Sequence, residues 1–368
     1  MKELPSDDVR APRRSFALFD YGFRPFFWLA GAFALAGIAA WTWMLAGAHA
    51  PFGSLPAMLW HGHEMLFGFV GAAVAGFLLT AVPSWTGARG FGGLPLMLLV
   101  ALWLAGRVAF AGMAQLPFTI VAILELLFLP ALVALVAPPL IRSRNRNTPL
   151  LFVLLAIWLA DVYFLLALRG HDVTAARHAL LLAIDVVLLL VTVIGGRVVP
   201  AFTASGLRQA GIEVEIKGRA LLDGATIAAM AGVVMADLLA PWQPVAGWVA
   251  AIAALLHAVR LGGWQGYRSL RLPLVWCLHL AYTWIPLGFA LKAVHLLAGD
   301  AWSGHWLHGL TIGAAAAMIL AVMTRASLGH TGRPLVAAAP IATAYLLLSA
   351  SALVRVLAPA LPGADYLW

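Results

Sequence analysis

Cysteine and charge are the scarcest features of this 368-residue chain. Its single cysteine, Cys277, excludes an internal disulfide, a four-thiolate iron–sulfur site and a Cys-x-x-Cys-His covalent haem site. Any haem would therefore be held non-covalently, through histidines. Charged residues make up only 10% of the chain, against about a quarter in an ordinary soluble domain, which excludes a soluble globular fold.

Polar segments long enough to form a soluble domain are absent as well. The longest polar connection, about residues 203–217, is too short to bury a core of its own. The net charge of +8 does not indicate nucleic acid as a partner, because the basic residues lie in short loops beside hydrophobic segments. That placement is typical of residues that orient a chain in a membrane.

Hydrophobic residues are abundant: they make up 63% of the chain, and the mean hydropathy is +0.95. Most of them fall in runs of roughly 20 residues, the length that a helix needs to cross the hydrocarbon core. The runs predict eleven helices, at 25–47, 57–82, 93–112, 116–137, 149–169, 176–201, 218–240, 244–262, 273–298, 302–324 and 333–357. The predicted fold class is an all-α polytopic membrane protein, a bundle of 11–12 transmembrane helices.

Basic residues divide unequally between the two sides of this bundle. With the N-terminus inside, one side receives nearly all of the basic loop residues, and the other receives little beyond Arg169 and Arg177. Because positive residues accumulate on the cytoplasmic side, we predict a cytoplasmic N-terminus. The predicted organisation is a cytoplasmic segment at 1–24, a single transmembrane domain at 25–357 and a C-terminal segment at 358–368.

Two imidazoles and a carboxylate lie just inside a predicted membrane helix, in the motif W-H-G-H-E-M at 60–65. His61 and His308 each follow the outer start of a helix, which places both roughly 6–9 Å below the outer interface. On a regular helix Glu64 shares a face with His61, whereas His63 points nearly the opposite way. We predict His61, His63 and His308 as metal or haem ligands, with Glu64 orienting an imidazole or relaying a proton.

A second set of histidines lies near the inner ends of the predicted helices. His257 is about five residues from the inner end of its helix and His279 about six residues into the next, so their depths match. Two imidazoles at matching depth on antiparallel helices are the geometry of a bis-histidine haem b. Each histidine alone is also compatible with an interhelical hydrogen bond, and both interpretations stay open.

Two basic residues near the inner surface are candidates for binding anions. Arg197, in G-G-R-V-V-P at 195–200, either binds a propionate or an anionic substrate, or extends to the lipid headgroups. His330 lies in a predicted cytoplasmic loop with glycines and arginines, a composition that suits a carboxylate, such as a haem propionate, or a phosphate.

Four further ionisable residues lie within predicted membrane helices. Arg107 and Lys292 are near outer ends, and we expect them to extend to the interface. Asp161 and Asp185 are membrane carboxylates without an evident partner in the sequence, so a proton or cation path through them is one interpretation.

Several motifs in consistent order give the chain a specific resemblance to the NnrS family, from about residue 16 to 357. They are G-F-R-P-F-F at 22–27, W-H-x-H-E-M at 60–65, G-F-L-L-T-A-V-P at 76–83 with W-T-G at 85–87, G-G-R-V-V-P at 195–200, His257 with Arg260 and Trp264, P-L-V-W-C-L-H at 273–279, His308 with Thr311, and M-T-R-A-S-L-G-H-T-G-R-P at 323–334.

The resemblance implies a bacterial inner-membrane protein that contains haem and copper and serves the nitric-oxide response and nitrosative-stress tolerance. It also implies that the family's recurring polar positions are His61, His63, Glu64, Arg197, His257, His279, His308 and His330. Members have twelve membrane helices, whereas this sequence stops where a twelfth would begin, so we expect a truncated chain or an absent last helix.

The leading functional hypothesis is a haem- and copper-binding membrane protein, with histidine-ligated haem b, that binds or detoxifies nitric oxide or limits its damage. If the protein is an enzyme, this hypothesis makes it an oxidoreductase that acts on nitric oxide. The predicted partners are nitric oxide, the lipid bilayer and quinol or another electron donor. Two alternatives stay open. One is a transporter of an anion, haem or a metal species along a His- and Arg-lined path, and the other is a quinol-linked cytochrome-b-like electron-transfer subunit.

Overall fold

The computed structural model describes residues 17–47, 55–216 and 218–358. Within these residues, eleven helices are long and apolar enough to cross a membrane. They are α1 (Phe23–Leu45), α2 (Ala57–Thr86), α3 (Leu94–Ala111), α4 (Phe118–Arg142), α5 (Leu150–Arg169), α6 (Val173–Gln209), α7 (Ala220–Leu239), α8 (Pro244–Gly262), α9 (Pro273–Ala298), α10 (Trp302–His330) and α11 (Ala339–Leu357). The predicted all-α polytopic fold is confirmed. Residues 1–16 of the predicted N-terminal segment and residues 359–368 of the predicted C-terminal segment lie outside the described residues, and so does the expectation about a twelfth helix.

Proline and glycine mark several of the helix ends. Pro56, Pro117 and Pro149 precede α2, α4 and α5, where the fixed φ and the missing N–H of proline cost no hydrogen bond within the helix. Gly87 and Gly299 end α2 and α9 with φ of 68° and 73°, in the left-handed region that glycine adopts without strain. Short connections follow most helices, so consecutive helices run antiparallel.

The 37-residue helix α6 divides the described bundle into two packed halves. Ala179 and Ala183 pack in a hydrophobic core with side chains of α1 to α5. Leu181 and Leu188 pack in a second core with side chains of α7 to α11. Because α6 belongs to both cores, polar groups on either side of it are separated by one helix.

The outer surface of the bundle is apolar. Leu35, Leu98, Phe152, Leu166 and Leu255 are each more than half exposed, and all lie within membrane-length helices. A belt of exposed aliphatic and aromatic side chains is unfavourable against water and favourable against acyl chains. The chain is therefore a multi-pass membrane protein.

Four predicted helix ends are wrong by five residues or more: those of α4, α6 and α10, which continue further, and the start of α11, which begins only at Ala339. α6 continues to Gln209, so Thr203 lies in a helix and not in the predicted connection at 203–217. α10 continues to His330, which therefore ends a helix and does not lie in a loop. Both helices extend beyond their hydrophobic runs on the predicted cytoplasmic side, where polar residues are compatible with a helix although they no longer cross hydrocarbon.

The predicted orientation can be tested with introduced cysteines, because Cys277 is 3% exposed and should not react with a membrane-impermeant maleimide. Ser143 and Thr174 are exposed residues at opposite ends of the bundle. With a cytoplasmic N-terminus, Thr174→Cys should be labelled in intact spheroplasts and Ser143→Cys only after permeabilisation. Labelling of Ser143→Cys alone in intact spheroplasts would show the opposite orientation, and the unmodified chain is the blank.

Candidate functional site

Five polar side chains form a buried group in the first half of the bundle, which we call the His63 cluster: His63 and Glu64 of α2, Arg107 of α3, Glu125 of α4 and Asp161 of α5. Each of them is at most 8% exposed. Ionisable groups at membrane depth are costly unless they are paired, and four helices here supply the partners of one another's charges. The cluster therefore joins α2, α3, α4 and α5.

Both ring nitrogens of His63 face carboxylates. Nδ1 lies 3.1 Å from Oε1 of Glu64, and Nε2 lies 3.1 Å from Oδ1 of Asp161. Asp161 has no evident partner in the sequence because its partner in the fold, His63, lies on a helix distant in sequence. Glu64 contacts an imidazole, as one of the two predicted roles requires, but that imidazole belongs to His63 and not to His61.

Arg107 binds two carboxylates of the cluster, those of Glu64 and Glu125. Its Nη1 donates to Glu64 and its Nη2 donates to Glu125. The side chain therefore points into the bundle, and the prediction that it extends to the interface is wrong. Phe110 and Phe164 stack on the His63 ring, with ring centroids 3.9 and 4.7 Å from its centroid. These rings exclude water, and charge interactions are stronger where water is absent.

A π-helical segment follows a candidate histidine in each of two helices. It covers Glu64–Val70 after His63 in α2, and Gly309–Ala316 after His308 in α10. Such segments are rare and occur frequently at functional sites, because the wider turn changes which side chains share a face. In α2 the wide turn begins at Glu64, so it changes the direction of the residues that follow the cluster and not that of His61 or His63.

His61 and His308 lie close enough at the outer ends of α2 and α10 to interact electrostatically. His61 stacks on Trp41 of α1, with ring centroids 4.6 Å apart. Nη2 of Arg355 lies 3.2 Å from Nε2 of His308 and can only donate, so this nitrogen accepts and the proton lies on Nδ1. Within the described part of the chain, Nδ1 of both imidazoles is buried without a hydrogen-bond partner. The structure thus places His61 and His308 in the same region, within electrostatic range of Arg355, and places His63 in a different cluster.

His257 on α8 bonds the neighbouring helix α9 through Tyr282. Its Nδ1 lies 2.8 Å from Oη of Tyr282, to which Nη1 of Arg260 also donates at 3.2 Å. Its Nε2 is buried and makes no hydrogen bond to any described residue. If Nδ1–H donates to Tyr282, Nε2 keeps a lone pair, which is how metal-binding imidazoles are commonly oriented.

His279 on α9 bonds α6 through Thr203, and the direction of that bond follows from the geometry. Thr203 has one hydroxyl hydrogen and donates it to the carbonyl oxygen of Val199 at 2.7 Å. It therefore accepts from Nε2–H of His279 at 2.8 Å, which leaves the lone pair on Nδ1. That Nδ1 has no hydrogen-bond partner among the residues described, and it faces Gly266, where a Cβ would collide with the imidazole.

A cleft of about 640 Å³ opens beside His279 at the inner side of α8 and α9. Its walls are mainly apolar and include the rings of Tyr267 and Trp276. Clefts that hold cofactors have volumes of about 300–1,000 Å³, apolar walls and few polar groups. The cleft therefore suits a flat, largely apolar cofactor that His279 could ligate, whereas His257 is fully buried behind Tyr282.

Arg197 and His330 lie apart from this cleft. Arg197 is exposed and donates to Oδ1 of Asn147 in the connection between α4 and α5. His330 is exposed, with its ring centroid 5.6 Å from that of Phe23 on α1. The structure does not bring either residue to the imidazoles of His257 or His279.

A second buried ion pair lies in the other half of the bundle. Lys292 of α9 binds Asp237 of α7 and lies over the ring of Trp306, 4.8 Å from the centroid. Asp185 of α6 lies within electrostatic range of both charges, but neither of its buried carboxylate oxygens makes a hydrogen bond to a described residue. Lys292 is 1% exposed, and the expectation that it extends to the interface is wrong.

Five residues of these sites were not predicted from the sequence: Glu125, Thr203, Asp237, Tyr282 and Arg355. Glu125 carried a signal, because an isolated carboxylate inside an apolar 25-residue helix is a functional indicator on its own. Tyr282 and Arg355 carried none, since an aromatic residue and an arginine near a helix end are common in membrane helices.

The fold and these sites define a polytopic helical membrane protein that buries histidine–carboxylate groups and forms a cofactor-sized cleft. Comparison with family models matches residues 17–368 to the NnrS protein family. The chain therefore belongs to the NnrS family, and the resemblance found in its motifs is confirmed. Comparisons with curated proteins and with solved structures gave no match. Family membership suggests a membrane protein of the nitric-oxide response.

The Lys292–Asp237 pair should be essential to stability. Lys292→Met leaves Asp237 buried without its cation, and breaking a buried pair in this way costs about 3–5 kcal/mol, so the Tm of the purified protein should fall by several degrees. The double variant Lys292→Met/Asp237→Asn should recover much of that loss. An unchanged Tm in Lys292→Met would show that the pair contributes nothing, and exposed Arg169→Met is the control.

Proposed function

We propose that this protein binds haem b and copper in the bacterial inner membrane and binds or detoxifies nitric oxide, protecting the cell from nitrosative stress. Family membership supports the proposal, and one structural observation supports it most directly. His279 lines an apolar cleft of about 640 Å³, and its Nδ1 packs against the backbone of Gly266 with a lone pair that accepts no hydrogen bond from a described residue. A buried acceptor that makes no hydrogen bond is costly, and a ligand in the cleft would remove that cost.

The residues around this cleft fit a haem. His279 would ligate it through Nδ1 while Thr203 holds Nε2, and His257, with Tyr282 on its Nδ1, is the second candidate ligand. Bound haem b would supply an iron that binds nitric oxide and exchanges electrons. Arg197 and His330 stay proposed anion-binding residues of the inner surface, outside the cleft.

Copper is proposed at His61 and His308 in the outer half. Imidazole nitrogen suits copper, and Nδ1 of both residues is buried without a hydrogen-bond partner among the described residues. Ligation through Nδ1 of His308 requires its proton to move to Nε2, which can then no longer accept from Arg355. Arg355 is therefore the group that would release its imidazole when copper binds.

Nitric oxide is small and weakly polar, so it can reach either site through the lipid that surrounds the apolar outer surface. Net turnover of nitric oxide would need electrons, and quinol in the same bilayer is a suitable donor. With a donor the protein would be an oxidoreductase, and without one it would bind and buffer nitric oxide.

A transporter is the second candidate, and the buried carboxylates are the observation that favours it. Glu125 and Asp161 lie on one side of α6 and Asp185 and Asp237 on the other, all at most 4% exposed. Intramembrane carboxylates of this kind mark proton and cation paths in many transporters. This alternative predicts substrate flux in proteoliposomes and a purified protein without stoichiometric haem.

The deciding measurement is a reduced-minus-oxidised spectrum of the purified protein, with pyridine haemochrome and metal analysis. We expect stoichiometric haem b in the unmodified chain, most of it lost in His279→Ala and all of it retained in the exposed control His171→Ala. His61→Ala and His308→Ala should lose copper and keep haem. Nitric oxide should then shift the spectrum of the reduced protein.

A folded protein without haem or copper would contradict this proposal and favour transport. Haem retained in both His279→Ala and His257→Ala would leave the cofactor in place but remove the inner cleft as its site. Circular dichroism and gel filtration of each variant separate lost ligation from lost folding.

A further inference from the structure

We propose that the His63 cluster binds a divalent first-row transition-metal ion through Nε2 of His63 and the carboxylates of Glu125 and Asp161. The three ligand atoms lie within 4.8 Å of one another. Nε2 is 3.1 Å from Oδ1 of Asp161 and 3.8 Å from Oε1 of Glu125, the oxygen to which Arg107 also donates. Metal bonds of about 2.1 Å place neighbouring ligand atoms about 3.0–3.4 Å apart, so small movements would complete the site.

The formal charge of the cluster favours a divalent cation. Glu64, Glu125 and Asp161 are three carboxylates, and Arg107 is the one permanent cation among them. With a neutral imidazole, two negative charges are left uncompensated in a buried site, which is unfavourable. A divalent cation cancels both.

Glu64 already holds the imidazole in the orientation that a metal requires. It accepts from Nδ1 of His63 at 3.1 Å, which directs Nε2 at Asp161 and Glu125. Imidazoles that bind metals usually donate their other N–H to a carboxylate or carbonyl oxygen, which fixes the tautomer and raises the basicity of the ligating nitrogen. Arg107 binds the same oxygen of Glu64 and so keeps this carboxylate in place.

Glu125 has an oxygen available for a ligand. Arg107 uses Oε1, whereas Oε2 is buried and makes no hydrogen bond to the part of the chain that the structure describes. Oε2 lies 3.0 Å from the position that a Cβ of Gly106 would occupy, so glycine leaves room for it. A cavity of about 20 Å³ borders Glu125 and Asp161, and this volume is enough for one water molecule or ion.

The ligand atoms indicate the class of metal. One imidazole nitrogen and two carboxylates suit Mn²⁺, Fe²⁺ or Zn²⁺, whereas Cu⁺ prefers thiolate and thioether ligands. The site is separate from the copper proposed at His61 and His308, and it does not depend on the haem proposed at His279.

The test is a titration of the purified full-length protein in nanodiscs with Mn²⁺, in which the electron paramagnetic resonance signal of free Mn²⁺ reports binding. We expect one ion per chain, and at least tenfold weaker binding in Glu125→Gln and Asp161→Asn, each of which removes one charged ligand. Asp185→Asn is the matched control, because it removes a fully buried carboxylate outside the cluster and should leave binding unchanged. Glu125→Asp keeps the carboxylate and should restore part of the affinity.

The metal content of the protein as isolated completes the test, with haem and copper measured on the same samples. Absence of Mn²⁺ binding in the unmodified chain, together with no iron, zinc or manganese as isolated, would overturn the site. Unchanged binding in both Glu125→Gln and Asp161→Asn, or equal loss in Asp185→Asn, would also overturn it. If the unmodified chain binds Mn²⁺ at these residues but has no haem or copper, the metal site stands and the proposed function fails.

Discussion

Ion pairs buried away from water determine how the helices of this bundle are rotated against one another. Arg107 binds carboxylates of α2 and α4, and Lys292 joins α9 to α7. A single charge in the middle of a membrane helix costs about 2.5–3.5 kcal/mol even on lenient scales, so each of these charges needs a partner on another helix. The rotation of α2 that brings Glu64 to Arg107 also turns His63 into the first half of the bundle. His61 is thereby left to face α1 and α10.

The π-helical segments extend this effect along α2 and α10. In each helix the wide turn begins within one residue of a candidate histidine, at Glu64 and at Gly309. A wider turn lets one helix satisfy two sets of partners that a constant 3.6-residue period would place on conflicting faces.

The sequence predicts the number and approximate position of the helices because membrane thickness sets a length that hydrophobic runs report directly. It does not predict rotation about the helix axes. Most faces of these helices are apolar, so periodicity carries little information about which face is inside. The partners of Asp161 and Lys292 were therefore missed, since His63 and Asp237 lie 98 and 55 positions away along the chain. The hydroxyls of Thr203 and Tyr282, which orient two imidazoles, are equally invisible without the fold.

The group that contacts one ring nitrogen of each histidine gives a physical reason why the other nitrogen would bind a metal ion at one site and a large cofactor at another. Nδ1 of His63 faces a carboxylate, whereas His257 and His279 contact the hydroxyls of Tyr282 and Thr203. A carboxylate partner makes the opposite nitrogen more basic and adds negative charge, which favours a small divalent cation among further carboxylates. A hydroxyl partner adds no charge, which suits a large cofactor in an apolar cleft. A histidine that served only to join two helices would need one such bond. The second nitrogen is buried at all three positions: that of His63 faces carboxylates, and those of His257 and His279 make no hydrogen bond to a described residue.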